Sequence, residues 1–161
     1  MKKIVDVKDA IKLAIIARKR KEKIVLVGGC FDILHVGHIK FLKMAKERGD
    51  LLFILLEADE KVRKLKGNGR PIFKQQDRAE ALSSLRDVDV VIILDYLSGD
   101  EKYQQIVKEI KPNIIAVTEN DPQIAKKKIQ AESCNGVLKI IPYVKSLSSS
   151  KLADILSREK I

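Results

Sequence analysis

Apolar, β-branched runs that alternate with stretches of helical periodicity predict an α/β fold, a single doubly wound, Rossmann-like domain on a five-stranded parallel sheet. Two further observations point the same way. The first run, Ile24 to Val27, ends in Gly28-Gly29 and is followed by a helical period, which is half of a βαβ unit. The chain has 161 residues, 45% of them hydrophobic, which suffices for one core and is short for two. One domain over 1–161 is therefore expected, with a leading helix in 1–22 and a core over 23–157.

Each element has its own signal. Residues 7–20 put Ala10, Ile11, Ala14 and Ile15 on one stripe, with Asp6 as N-cap and the basic run Arg18 to Lys21 at the negative end of the helix dipole. Ile24 to Val27 is the first strand, and the helix after it carries Phe41, Leu42 and Ala45 and stops near Arg48-Gly49-Asp50. Leu51 to Leu56 is the second strand, with Glu57-Ala58-Asp59 at its carboxyl end. A short cationic turn and a glycine-rich loop, Lys61 to Pro71, precede a helix over Gln75 to Leu85. Val88 to Leu94 is the third strand, and Ser98 with Glu101 has the spacing of a capping box for the next helix, which runs to Ile110. Ile114 to Val117 is the fourth strand. A basic helix ending at Asn135-Gly136 follows, then the fifth strand, Val137 to Ile141, and a last helix preceded by Ser148-Ser149-Ser150.

Composition narrows the partners. A net charge of +10 suits nucleic acid, an anionic surface or a small polyanion. Only 4% of residues are aromatic, too few to stack a run of bases, so nucleic acid is not the expected partner. Asp6, Lys8, Asp9 and Lys12 interrupt the N-terminal stretch before a signal-peptide core could form, and no run approaches a membrane span, so no membrane partner is expected and the predicted setting is cytoplasmic. Cys30 and Cys134 are the two cysteines, in neither a disulfide framework nor a zinc pattern.

The chemistry concentrates in Gly28-Gly29-Cys30-Phe31-Asp32-Ile33-Leu34-His35-Val36-Gly37-His38, which holds both histidines of the chain. In an open α/β sheet, ligands bind beyond the carboxyl ends of the strands, where loop amides and helix N-termini favour an anion. Gly28 and Gly29 let the backbone approach a phosphate, and His35 and His38, three residues apart at a helix start, reach one ligand.

This stretch resembles the first strand-loop-helix of the cytidylyltransferase-like nucleotidyltransferases, whose signature is H-x-G-H. KLKGNGRP, residues 64–71, is similar to the K-x-K-G-x-x-R-P stretch of the sugar-phosphate members, and Ser148-Ser149-Ser150-Lys151-Leu152 to their S-S-S-K-I motif. The likeness is greatest to heptose 1-phosphate adenylyltransferases, then to glycerol-phosphate cytidylyltransferases, with FAD synthase-like adenylyltransferases sharing the layout. It implies transfer of a nucleoside monophosphate from ATP or CTP to a phosphorylated small molecule, with release of pyrophosphate. A nucleotide-binding regulatory protein is the non-enzymatic alternative.

The resemblance implies catalytic roles for His35, His38, Lys66 and Asp32, the last holding a metal or orienting a lysine. It implies nucleotide contacts from Gly28, Gly29, Cys30, Phe31, Gly37, Arg78, Thr118, Glu119, Asp121, Ser148, Ser149 and Ser150, and substrate contacts from Lys64 and Arg70. Mg²⁺ is expected as the companion of the triphosphate, with no ligand set assigned, and a homodimer is the default assembly. Three features admit a plainer reading: a solvated loop at Lys61 to Pro71, an N-cap at Asp121 and a serine cap at Ser148 to Ser150. The chain also departs from the family. Thr118-Glu119-Asn120-Asp121 stands where many members carry a glycine-rich G-G-D or G-D-D, and Tyr143 stands where the glycerol-phosphate branch has an arginine.

Overall fold

The computed structural model describes residues 3–158, so the outermost parts of the expected domain, 1–2 and 159–161, lie outside the described residues. Six strands form one sheet: β1 (Ile4–Val5), β2 (Ile24–Gly29), β3 (Leu51–Leu56), β4 (Val90–Ile93), β5 (Ile114–Thr118) and β6 (Val137–Ile141). Their order is β1-β4-β3-β2-β5-β6, and every pairing is parallel. The helices are α1 (Val7–Lys19), α2 (Val36–Lys46), α3 (Asp59–Lys66), α4 (Gln75–Ser83), α5 (Asp100–Ile110), α6 (Ile124–Glu132) and α7 (Ser149–Arg158).

The expected count of five strands is corrected to six. Ile4 and Val5 pair with Val91 and Ile92, so the leading segment enters the sheet before it forms its helix. Two residues carry no readable period, and only the neighbouring strand reveals them.

Period-two alternation sorts the central strands onto two faces. On one, Ile24, Leu26, Phe53, Leu55, Val90, Ile92, Ile115 and Val117 pack with α1, α5 and α6. On the other, Val25, Val27, Leu52, Ile54, Leu56, Val91 and Ala116 pack with α2 and α4. Both faces are covered, which is why these strands read as continuous apolar runs.

Asp6 caps α1 as expected, accepting from the Asp9 N–H at 2.8 Å. The buried stripe, however, is Ala10, Ala14 and Ala17, while Ile15 is 42% exposed. Small residues let α1 lie close to the sheet. The expected Ser98–Glu101 capping box does not form: Gly99 occupies the N-cap of α5 and no side chain caps it. Asp121 sits one turn ahead of α6 and accepts from the Gln123 N–H at 2.7 Å, while Gln123 itself is the N-cap.

Because Ala14 is fully buried against the sheet, Ala14→Leu is expected to lower stability by about 1–3 kcal/mol through overpacking. A urea titration with unchanged slope and a lower midpoint is the expected record, and an unchanged midpoint would show that α1 stands off the sheet.

Candidate active site

The two histidines build the start of α2. His35 is the N-cap, and its Nδ1 accepts the Gly37 N–H at 3.1 Å; His38 Nδ1 faces the His35 N–H at 3.4 Å, closing a reciprocal box. The rings stack with centroids 3.8 Å apart, and Phe31 lies against His38 at 5.2 Å. A neutral imidazole has one donor and one acceptor nitrogen. With both Nδ1 atoms used as acceptors, Nε2 carries the proton in each ring, and the His38 ring also meets the Ile33 carbonyl, which opposes the fall in its pKa.

Burial pushes His38 down to about 4, with His35 and the Lys66 ammonium acting in the same direction. His35 is lowered as well, by burial first and then by Lys66. The pair is therefore neutral near pH 7.

Glycine at 37 is required by close approach: a Cβ there would lie 2.3 Å from Ser146 Oγ and 3.0 Å from the His35 ring. A Cβ at Gly29 would meet the Phe31 ring at 2.8 Å.

The histidines line a cavity of about 360 Å³ beyond the carboxyl ends of β2 and β5. Gly28, Gly29, Cys30, Phe31, Gly37, Lys66, Thr118, Asp121, Ser148 and Ser149 share its wall, so twelve expected site residues meet in one cleft once the histidines are counted. Lys66 reaches across to α7, where its Nζ lies 2.8 Å from Ser149 Oγ. Burial lowers the Lys66 pKa, and the nearby Arg70 and Arg78 guanidinium groups add to that effect while Cys30 and Asp32 oppose it. An arriving anion would favour the charged form and oppose that shift. Ser148 Oγ accepts from the Lys151 N–H at 3.2 Å, so the serine-cap reading and the cleft-wall reading of this motif both hold. Burial pushes the Cys30 thiol up, away from nucleophilic character.

Six expected contacts stand elsewhere. Asp32 is buried, paired with Arg70 Nε at 2.5 Å and accepting from the Ile72 and Phe73 N–H groups at 2.7 and 3.2 Å. It holds the loop before α4 to the end of β2 rather than facing the cleft. Arg70 is thereby withdrawn from the cavity wall, with its Nη2 buried and without a hydrogen-bond partner among the described residues.

Arg78 is 2% exposed and spends four of its five N–H groups on the carbonyls of Phe73, Cys30 and Glu57 and on the Asp59 carboxylate, a clamp between three loops that stands off the cavity wall. Lys64 turns outward onto Tyr96, its Nζ 2.5 Å from the phenol oxygen. Glu119 accepts from the Tyr143 N–H at 2.9 Å and fixes the loop after β6. Ser150 is exposed on the outer side of α7.

A second cavity of about 430 Å³ lies on the other side of the β2 end. The two share Gly28, Gly29, Cys30, Thr118, Asp121 and Lys127. Lys127 is a site residue that sequence reasoning missed. It is ion-paired with Asp121 at 2.6 Å, from a helix whose basic run gives no sign of which lysine turns inward. Glu57 and Tyr103 line the second cavity and are bonded to each other, Tyr103 Oη donating to Glu57 Oε2 at 2.8 Å. Among the described residues no three His, Cys, Asp or Glu side chains gather into a metal-binding group. Among these residues there is thus no carboxylate set fitted to hold Mg²⁺ by itself.

Two expectations follow. Between pH 6.5 and about 4 the unfolded chain protonates His38 while the native chain does not, so stability is present above that window and falls as pH drops through it. Urea midpoints measured from pH 7 to 5 should fall more steeply for the natural protein than for His38→Gln; equal slopes would refute the buried neutral ring. Asp32→Ala strands the Arg70 guanidinium and two N–H groups and should cost roughly 3–5 kcal/mol, whereas a stable variant that had lost only activity would return Asp32 to the chemistry.

The chain is similar to known proteins along most of its length. The cytidylyltransferase-like family matches over residues 26–152. The bifunctional protein HldE of Aliarcobacter butzleri is 40% identical over 139 residues, 86% of this chain and 28% of that protein, so the chain spans less than a third of that relative. The FAD synthase of Pyrococcus abyssi is 40% identical over 137 residues, 83% of this chain and 90% of that enzyme. The crystal structure of a lipopolysaccharide core biosynthesis protein from Thermoplasma volcanium superposes with a TM-score of 0.60 at 31% identity, over 78% of this chain and 98% of that one. With its H-x-G-H box on the wall of the cleft and the match running through to the helix after the three serines, the chain belongs to the cytidylyltransferase-like family of nucleotidyltransferases.

Proposed function

We propose that the chain transfers a nucleoside monophosphate from ATP or CTP to a phosphorylated small molecule and releases pyrophosphate. The observation that carries this reading is the pair of adjoining cavities, one with the histidines and Lys66, the other without them, meeting at Gly28 to Cys30, Thr118, Asp121 and Lys127. Both have the size of small-molecule sites. A triphosphate in the first and an acceptor in the second would bring the α-phosphorus and the acceptor phosphate to the shared wall.

The chemistry asks little of the protein. An oxygen of the acceptor phosphate supplies the electron pair for the new P–O bond, and the bond to pyrophosphate breaks with its pair leaving on the pyrophosphate. A phosphate monoester is largely ionised near pH 7, its second pKa being about 6, so no protein base or nucleophile is required. The Nε2–H groups of His35 and His38 donate to triphosphate oxygens on which charge develops, and Lys66 adds its ammonium beside Ser149. Mg²⁺ enters with the triphosphate.

The acceptor has two candidates. Resemblance to the heptose 1-phosphate adenylyltransferases favours a heptose 1-phosphate-like sugar phosphate. The match along 90% of an FAD synthase favours flavin mononucleotide, a reading that the apolar lining of the second cavity by Leu26, Leu55 and Ile115 also supports. A cytoplasmic homodimer completes the proposal. Among the described residues no helix is long and apolar enough to cross a membrane.

Pyrophosphate release should be assayed with ATP and CTP against sugar 1-phosphates, glycerol 3-phosphate and flavin mononucleotide. One pairing is expected to turn over, and Lys66→Met is expected to lower its rate by about 10²–10³-fold with an unchanged urea midpoint. Nucleotide binding without turnover in any pairing would favour the regulatory alternative, and a Lys66→Met rate within twofold of the natural protein would remove that residue from the chemistry.

A further inference from the structure

We infer that the second cavity selects an acceptor whose end remote from the phosphate is uncharged and donates a hydrogen bond, and that Glu57 is the residue that reads it. The inference rests on the proposed transfer reaction and names the acceptor chemistry that the same site would take.

Glu57 is the first residue beyond β3, and its backbone is fixed on both sides. Its N–H donates to the Gly29 carbonyl at 3.1 Å, and its own carbonyl accepts from Arg78 Nη2 at 2.8 Å. The carboxylate therefore stands on a rigid support. Tyr103 spends its one proton on Oε2, and no other donor among the described residues bonds to the carboxylate. A carboxylate has room for about four hydrogen bonds. What remains of that capacity opens onto the cavity, beside apolar walls from Leu55, Leu65 and Val107. An unfilled acceptor in such surroundings costs free energy that a ligand donor recovers.

Charge decides what kind of donor fits. Lys61 lies over the Tyr103 ring at 5.4 Å, and Lys61 and Lys127 already oppose the rise that burial produces in the Glu57 pKa. Two further ion pairs, Lys126 with Asp100 and Lys127 with Asp121, line the same cavity. Lys61, Lys126 and Lys127 stand against Glu57, Asp100 and Asp121 in the lining, so a cationic head group would leave one positive charge without a counter-charge. An anionic head would meet Glu57 and Asp100. The acceptor's negative charge belongs instead at the shared wall, beside Lys127 and the backbone of Gly28 to Cys30. A sugar hydroxyl and the imide N–H of a flavin have the same neutral, donating character, whereas the quaternary ammonium of phosphocholine does not.

Replacing Glu57 by Leu keeps the bulk and removes the acceptor, whereas a Gln amide would still bond a sugar hydroxyl, which accepts as well as donates. The test compares kcat/KM for flavin mononucleotide with that for its N3-methyl derivative, and for mannose 1-phosphate with that for its monodeoxy analogues, with phosphocholine alongside. ATP affinity is measured separately by calorimetry. In the natural protein one series should show about 100-fold or greater discrimination against the analogue lacking the donor, which also identifies the source, and phosphocholine should be inactive.

Glu57→Leu should raise the acceptor KM and erase that discrimination while ATP affinity stays within twofold. Tyr103→Phe should retain the discrimination, because it frees the carboxylate rather than removing it. Loss of discrimination in both variants would reduce Glu57 to a structural role and overturn the inference, as would an unchanged Glu57→Leu or turnover of phosphocholine. A natural protein that binds ATP and releases pyrophosphate with no acceptor would overturn the transfer reading itself, and the inference with it.

Discussion

The reciprocal bond between two imidazoles and the first turn of α2 is the constraint on which the site depends. A helix start leaves N–H groups without partners, and small polar side chains usually fill them. Here His35 and His38 do so through Nδ1, which fixes ring orientation, tautomer and stacking together. The same bonds that finish the helix turn the remaining N–H of each ring into a positioned donor. Structure and chemistry thus make one demand on Gly37, since any side chain there would push into Ser146 and the His35 ring.

The rest of the fold brings ligands to those donors. Covering the sheet on both faces leaves the carboxyl ends of the strands as its open rim, and β2, at the centre of the order, ends between two cavities. Loops around that rim are held by ionic and backbone contacts as well as by the packing of Phe31 and Leu34. Asp32 with Arg70 fastens one loop, Arg78 joins three, and Glu119 ties the segment that leads to α7. Charged groups spent in this way leave Lys66 and Lys127 as the lysines that line the cavity of the histidines.

Much of this was legible in the sequence because it is local. The strand-loop-helix at Gly28 to His38, the Asp6 cap and the serine turn each depend on neighbours a few residues apart. What was not legible depends on distant partners. Asp32, Arg70 and Arg78 lie in motifs where a charged residue suits phosphate binding equally well, and their actual partners come from segments up to 48 residues away. Lys127 and Tyr103 are ordinary helix residues until β2 and β3 bring a cavity to them. The edge strand at Ile4–Val5 is too short to show a period, and the Ser98–Glu101 spacing lost to a helix that starts after Gly99.

The central claim is that both histidines are neutral, protonated at Nε2 and aimed at a triphosphate. Because the chain contains only two histidines, long-range ¹H–¹⁵N correlation of the imidazole nitrogens at pH 7, with and without ATP, tests this without ambiguity. Two neutral Nε2–H tautomers whose Nε2 resonances shift when ATP is added are the result the account predicts. An Nδ1–H tautomer in either ring, or resonances that ATP leaves in place, would contradict it.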